Sequence, residues 1–118
     1  MAPPRKTESD APLGTLPFHI LLALGDGPAH GYAIGRDIQT RSKGSLDPTT
    51  GALYQALKRL ANDGLIAPLA EPPEPTTDAR RKYFELTYAG RRAVAAEARR
   101  LDALVQAARE KKLYPASS

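Results

Sequence analysis

The chain has 118 residues, of which 42% are hydrophobic, and this suits one small domain with a modest core. There are 17 lysines and arginines against 13 acidic residues, so the formal charge is +4 and the isoelectric point about 9.6. That mild basicity suits an anionic partner without identifying it, because a polyanion needs clustered charge. The chain has no cysteine and two histidines, so we expect no disulfide, no metal centre and no cofactor.

No apolar run approaches the roughly 18 residues that span a bilayer. The N-terminus, "MAPPRKTESDAPLG", also lacks the apolar core of a signal peptide. We therefore expect a soluble cytoplasmic protein that has no membrane partner. Residues 1–14 are rich in proline, charge and small polar groups, and are interpreted as a disordered arm.

Three helices are predicted after the arm. The compact apolar run in "TLPFHILLALGDGP" predicts a short buried helix that the glycines and proline end. A second helix is expected from about Gly31 to Ser42. The third lies in "PTTGALYQALKRLANDGLI", with Asp47 as its N-cap, Pro48 at its first position and Gly64 closing it in a left-handed conformation.

The pattern then changes to strands. "LIAPLA" and "RKYFELT" predict two antiparallel strands, joined by a proline-rich loop of about ten residues. Three helices followed by a two-stranded hairpin is the order of a winged helix-turn-helix. We therefore predict a mainly α fold with a small β-hairpin (α+β), whose DNA-binding domain covers residues 15–86. Its third helix would be the recognition helix in the major groove.

A long helix is predicted over residues 87–112, with Thr87 as its N-cap and residues 113–118 as a tail. Apolar residues along it repeat at spacings of three or four, close to a heptad stripe. The stripe offers more apolar surface than one small domain needs, so we expect a homodimer. The alternative is that it packs back on its own domain. The candidate dimer residues are Val94, Ala98, Leu101, Leu104, Val105 and Ala108.

The third helix has two different faces. At 100° per residue, Leu53, Leu57 and Leu60 point inward. The helix start favours phosphate, Gln55 suits adenine, and the small Gly51 allows a close backbone approach. The alternative is an ordinary solvated face. The candidate DNA-binding residues here are Thr49, Thr50, Gly51, Tyr54, Gln55, Lys58 and Arg59.

Cations also end the proline-rich loop. Arg80, Arg81 and Lys82 would lie beside the minor groove or its phosphates in a winged fold, although three cations also serve solubility. Glu71, Glu74 and Asp78 make the loop mixed in charge, so we expect its tip to avoid DNA while its base binds. In the N-terminal arm, Arg5 and Lys6 either reach DNA or remain mobile.

"PAHGYAIGRDI" lacks the lysine and spacing of a phosphate-binding loop, so a turn and a helix start are expected. Tyr32 or the helix N-terminus could still contact a phosphate. No nucleophile, base and orienting group can be assembled from the sequence, which argues against an enzyme. A winged helix can also serve as a protein-interaction module without specific DNA binding, and that alternative stays open.

The stretches "HGYAIGRDI", "TTGALYQALKRLANDGLI" and "RRKYFELTYAGRRAV" resemble the PadR-like transcriptional regulators, from about Leu16 to Glu110. The resemblance implies a dimeric DNA-binding regulator, usually a repressor, of the short branch with one C-terminal helix. A dimer would present two recognition helices about one DNA turn, roughly 34 Å, apart, so we expect an inverted-repeat operator. Some members bind aromatic or drug-like compounds between subunits, so an unidentified small-molecule effector stays open. Family DNA contacts fall on Tyr32, Thr50, Gly51, Tyr54, Gln55, Lys58, Arg80, Arg81 and Lys82.

Overall fold

The computed structural model of the chain describes residues 12–71, 73 and 81–115. Within these residues the strands form one antiparallel sheet, ordered β1-β3-β2. The helices and the small sheet confirm the predicted winged helix-turn-helix class. The elements are α1 (Thr15–Ala23), β1 (Ala29–His30), α2 (Gly31–Arg41), α3 (Thr50–Asn62), β2 (Ile66–Pro68), β3 (Tyr83–Leu86) and α4 (Tyr88–Glu110).

The core draws apolar side chains from all four of these helices and from β2 and β3. Burying one such side chain contributes about 1.5–3 kcal/mol. The predicted inner face of α3 is confirmed, and its burial leaves the opposite face free for a partner. The buried apolar residues are Ile20, Leu21, Leu24, Ile34, Ile38, Leu53, Leu57, Leu60, Leu65, Ile66, Phe84 and Ala93.

The predicted start of α3 is wrong by two residues. Thr49, rather than Asp47, is the N-cap, and Thr50 rather than Pro48 is the first helical residue. The Thr49 side-chain oxygen accepts the Ala52 backbone N–H at 3.1 Å. Both residue types can cap a helix, but here it is Thr49 whose hydroxyl meets an N–H of the first turn.

The predicted pair of strands is confirmed, and a short third strand joins it. Ile66 of β2 pairs with Leu86 of β3, while His30 of β1 pairs with Tyr83 of β3. A two-residue strand carries no alternation of polar and apolar residues, so β1 left no signal in the sequence. Its pairing brings the start of α2 beside the base of the wing.

Helix α4 is attached to the end of α3 by its N-cap. Thr87 caps α4 as predicted, since its hydroxyl oxygen accepts the Gly90 N–H at 3.0 Å. The same hydroxyl donates to the Gly64 carbonyl oxygen at 2.7 Å. Gly64 has a φ of 80°, the left-handed conformation that the sequence predicts. The end of α3 and the start of α4 are therefore held together at one point.

Part of the predicted N-terminal arm belongs to the packed domain. The Leu13 N–H donates to the buried Glu97 carboxylate of α4 at 3.1 Å, and Leu13 packs against the core. The Arg100 Nε also donates to Glu97, at 3.2 Å, so this buried charge is paired. Residues 1–11, including Arg5 and Lys6, lie outside the described part. Among the residues described, no helix has the length and apolar character needed to cross a bilayer.

Candidate nucleic-acid interface

The outer face of α3 is exposed along its length. Tyr54 is 46% exposed although its neighbour Leu53 is buried. Because the helix turns by 100° per residue, Gly51, Gln55 and Lys58 lie on the side away from Leu53, with Tyr54 on one flank and Arg59 on the other. The remaining predicted residues, Thr49 and Thr50, are also exposed, at the start of the helix. This part of the predicted interface therefore forms a continuous surface.

A close contact between α2 and α3 positions Tyr54. A Cβ atom added to Gly31 would lie 2.7 Å from Tyr54 Cζ, well inside van der Waals distance. The hydroxyl end of Tyr54 therefore occupies the space that any larger residue at position 31 would need. The glycine of the "HGY" stretch thus leaves room for the end of a side chain from another helix.

Tyr32 lies at the start of α2 and is 62% exposed. The guanidinium carbons of Arg36 and Arg81 lie 5.9 Å and 6.0 Å from its ring centroid, within the range of cation–π attraction. Arg81 precedes β3, so this contact places the base of the wing against the start of α2. The sequence predicted Tyr32 and Arg81 separately, and the structure brings them together.

Five residues line a cavity of about 410 Å³, here called the donor pocket: His30, Tyr32, Tyr54, Arg81 and Lys82. None of the five carries a carboxylate. The neighbouring Asp37 accepts two hydrogen bonds from Arg41, at 2.9 Å and 3.1 Å, so its charge is paired. The pocket is therefore suited to an anion. In the described ranges, the structure has no cluster of three histidine or acidic residues that would hold a metal.

His30 is a residue that the sequence interpretation passed over. Its Nδ1 accepts the Ala33 N–H at 3.2 Å and thereby caps α2, while its Nε2 lies 2.7 Å from Arg81 Nη1. The Tyr83 ring meets it edge-on, with centroids 5.1 Å apart. Burial, and then the charge of Arg81, lower the pKa of His30 below its ordinary value. The signal available in the sequence was its position directly before α2, three residues ahead of a first-turn N–H that has no partner within the helix.

The other flank of α3 faces a separate groove. Gln55 and Arg59 line a cavity of about 590 Å³ together with Leu13, Pro17 and Asp63. The predicted DNA-binding residues of α3 thus divide: Tyr54 borders the donor pocket, whereas Gln55 and Arg59 border this groove. Arg80, Glu74 and Asp78 lie outside the described residues.

The predicted dimer stripe is partly used within the domain. Val94 packs against the core, which for this residue matches the alternative of packing on its own domain. Farther along α4, Leu101 and Leu104 are 37% and 57% exposed. Ala98 is exposed too, while Val105 and Ala108 are half-buried. Unpartnered apolar surface therefore begins after the first turns of α4.

Comparison with known proteins identifies relatives. The chain is 44% identical over 79 residues to an uncharacterized 37.1 kDa protein in transposon TN4556 of Streptomyces fradiae, which covers 67% of this chain and 21% of that protein. The chain thus spans about a fifth of that relative's length.

Solved structures also match. A PadR family transcription regulator from Clostridium difficile R20291 superposes with a TM-score of 0.70 at 25% identity, over 82% of this chain and 97% of that chain. Bacillus subtilis PadR, solved in complex with operator DNA, shares the fold with a TM-score of 0.58 at 23% identity, over 70% and 45% of the two chains.

The family model described as the transcriptional regulator PadR-like family matches residues 20–96, which is more than half of the chain. The match includes the start of α2, all of α3 and the base of the wing. The chain therefore belongs to the PadR-like family of transcriptional regulators.

Proposed function

We propose that this chain regulates transcription by binding operator DNA, with α3 in the major groove and the base of the wing on the DNA backbone. Membership of a transcriptional-regulator family supports this, as does the fold shared with a PadR protein solved on its operator. Gln55 and Lys58 are the α3 residues placed to meet base edges. Thr49 and Thr50 offer hydroxyl groups beside the helix N-terminus, where a phosphate is favoured.

The donor pocket carries this proposal. Two cations, Arg81 and Lys82, line it together with Tyr32 and Tyr54, directly beside the exposed face of α3. A helix face that is merely solvated would not require cations of the wing to lie on its flank. Backbone phosphates are the anions that such an arrangement fits, since phosphate contacts set the register of a protein on DNA.

We further propose that the protein acts as a homodimer on an inverted repeat, and as a repressor. Exposed Leu101 and Leu104 on α4 would form the centre of the dimer contact, which Ala98, Val105 and Ala108 would extend. Two copies of α3 would then lie about 34 Å apart, one turn of DNA. A small-molecule effector, if one acts, is of unidentified chemistry.

The test is selection of duplexes from a random pool by the purified protein, followed by affinity measurements at increasing salt. We expect enrichment of an inverted repeat, and an affinity that falls steeply with salt because bound phosphates release counterions. Replacing Gln55 by alanine should relax the base preference at one position of each half-site. The expected loss of discrimination is about 1–3 kcal/mol.

The matched comparison uses two double variants that each remove two positive charges. Lys58→Ala with Arg81→Ala should weaken binding and flatten the salt dependence. Arg99→Ala with Lys111→Ala, at an exposed position of α4 and at its exposed C-cap, should change both much less. Equal affinities for the two double variants would contradict the assigned face. Salt-insensitive, weak binding of every duplex would instead favour the protein-interaction module.

A further inference from the structure

The two contacts of His30 require incompatible states of its ring. Nδ1 must have a free lone pair to accept the Ala33 N–H. Nε2 lies 2.7 Å from Arg81 Nη1, and a guanidinium only donates hydrogen bonds. A neutral imidazole has one accepting nitrogen and an imidazolium has none. His30 can therefore cap α2 or accept from Arg81, but it cannot do both.

An anionic oxygen beside Nε2 removes this conflict. With Nδ1 accepting from Ala33, the ring proton lies on Nε2, so Nε2–H and the Arg81 guanidinium are two donors in need of one acceptor. Lys82 and the Tyr54 hydroxyl line the same cavity and can donate to the same ligand. The pocket thus has several donors, and the described residues that line it include no carboxylate to satisfy them.

We propose that neutral His30 donates its Nε2–H to a phosphate oxygen of the DNA backbone, in a site shared with Arg81 and Lys82. This rests on the proposed function and names one of its phosphate contacts. His30 has a double task, since one nitrogen caps α2 and the other binds the phosphate. The cap also orients the ring, so the donor is positioned before the DNA arrives.

The surroundings of His30 favour its neutral form. Arg36 from α2 and Arg81 with Lys82 from the wing place positive charge on its open side. Asp37, the carboxylate of the adjoining surface, is held by Arg41. Burial, and then the charge of Arg81, lower the pKa of His30 below its ordinary value. Protonation would also set an Nδ1–H against the Ala33 N–H and so destroy the cap.

The decisive variant is His30→Asn. Asparagine is a good helix N-cap, so α2 should keep its cap, but its side chain is too short to place a donor at the position of Nε2. Affinity for a fluorescent random-sequence duplex should fall about tenfold, the expected loss for a hydrogen bond to a charged acceptor. The slope of affinity against salt should stay unchanged, because a neutral donor releases no counterion.

Arginine variants provide the contrast. Arg81→Ala should weaken binding and also reduce the salt slope by about 0.9. Arg92 of α4 stacks on Tyr88 at 6.0 Å, the same distance as Arg81 on Tyr32, so Arg92→Ala is a control of equal charge and similar packing. It should affect binding much less. Wild-type affinity in the folded His30→Asn variant would overturn the proposal.

The ring nitrogens of His30 supply a test that needs no DNA. Their NMR resonances should show Nδ1 unprotonated, and the Nε2–H resonance should shift when inorganic phosphate is added. A proton on Nδ1 in the presence of phosphate, or no response to it, would overturn the proposal. Failure of the wild-type protein to bind any duplex would count against the proposed function, while the phosphate titration would still decide the role of His30.

Discussion

At Gly51, the fold and the proposed DNA binding make different demands on one residue. It lies within α3, where glycine destabilises a helix by about 0.5–1 kcal/mol relative to alanine. Apart from its chain neighbours and its own helix backbone, no atom of the described residues lies within 4 Å of the position that a Cβ would occupy there, so packing in this part of the fold does not require glycine. In the proposed complex, the absence of a side chain here would leave room for a groove wall to approach the backbone.

We therefore expect Gly51→Ala to increase the stability of the protein and to decrease its affinity for DNA. The free energy of unfolding should rise by about 0.5–1 kcal/mol, since helix propensity improves and nothing clashes. Affinity for the selected duplex should fall, because the methyl group stands between α3 and the groove. Urea unfolding and fluorescence anisotropy would measure the two effects. A variant that is more stable and binds equally well would show that Gly51 does not face DNA.

The attachment of α4 to the rest of the domain depends on close backbone approach. Thr87 bridges the end of α3 and the start of α4, and the Thr87 N–H donates to the Leu65 carbonyl oxygen at 3.2 Å. One turn into the helix, Gly90 lies against that same carbonyl, where an added Cβ would overlap the oxygen. The helix that would carry the dimer is thus held at its first turn by backbone contacts.

Gly90→Ala should destabilise the domain although alanine is the better helix former. The overlap is with backbone rather than with a mobile side-chain end, so α4 itself must move. Strain of this kind costs about 1–3 kcal/mol, more than the gain in helix propensity. Thermal unfolding should show a melting temperature lower by several degrees, with Gly51→Ala as the control for a helical glycine in open space. An unchanged or raised melting temperature would disprove the tight contact.

The assembled molecule leaves apolar surface beyond its own core. The exposed part of the α4 stripe begins after Val94 and centres on Leu101 and Leu104. Each Å² of apolar surface removed from water contributes about 25 cal/mol, so pairing two such stripes can supply several kcal/mol toward association. That gain matters for a small domain, which buries a modest share of its surface when alone.

Leu101→Glu combined with Leu104→Glu should convert the proposed dimer to monomers, because four like charges would meet in an apolar contact. Sedimentation at several concentrations would measure the mass, and binding to an inverted repeat should weaken more than binding to a single half-site. Ala95→Glu with Gln106→Glu adds the same charges at exposed positions on another side of α4 and should leave the mass unchanged. A wild-type protein that sediments as a monomer would refute the dimer.

Periodicity and local chemistry were sufficient to predict the helices and the two longer strands. The Leu53–Leu57–Leu60 spacing placed α3 correctly, Thr87 marked the start of α4, and Gly64 marked the end of α3, because each signal acts within a few residues. The capping of α3 was less certain, since Asp47 and Thr49 are both good caps, and only the positions of the backbone N–H groups distinguish them. Strand β1 was not predicted, because its two residues form a strand only by pairing with β3.

How the residues of the candidate interface come together could be seen only in the folded chain. Its members are far apart in sequence: His30 and Arg81 approach within 2.7 Å although they are 51 positions apart. The sequence shows that both residues are polar, but no periodic pattern relates positions so far apart. The division of the α3 face into two flanks, and the use of Val94 in the core, also follow from packing against other elements. Local spacing thus determined which residues are helical and which face outward, whereas tertiary packing decided which outward residues meet, because contacts between elements depend on their relative positions in space.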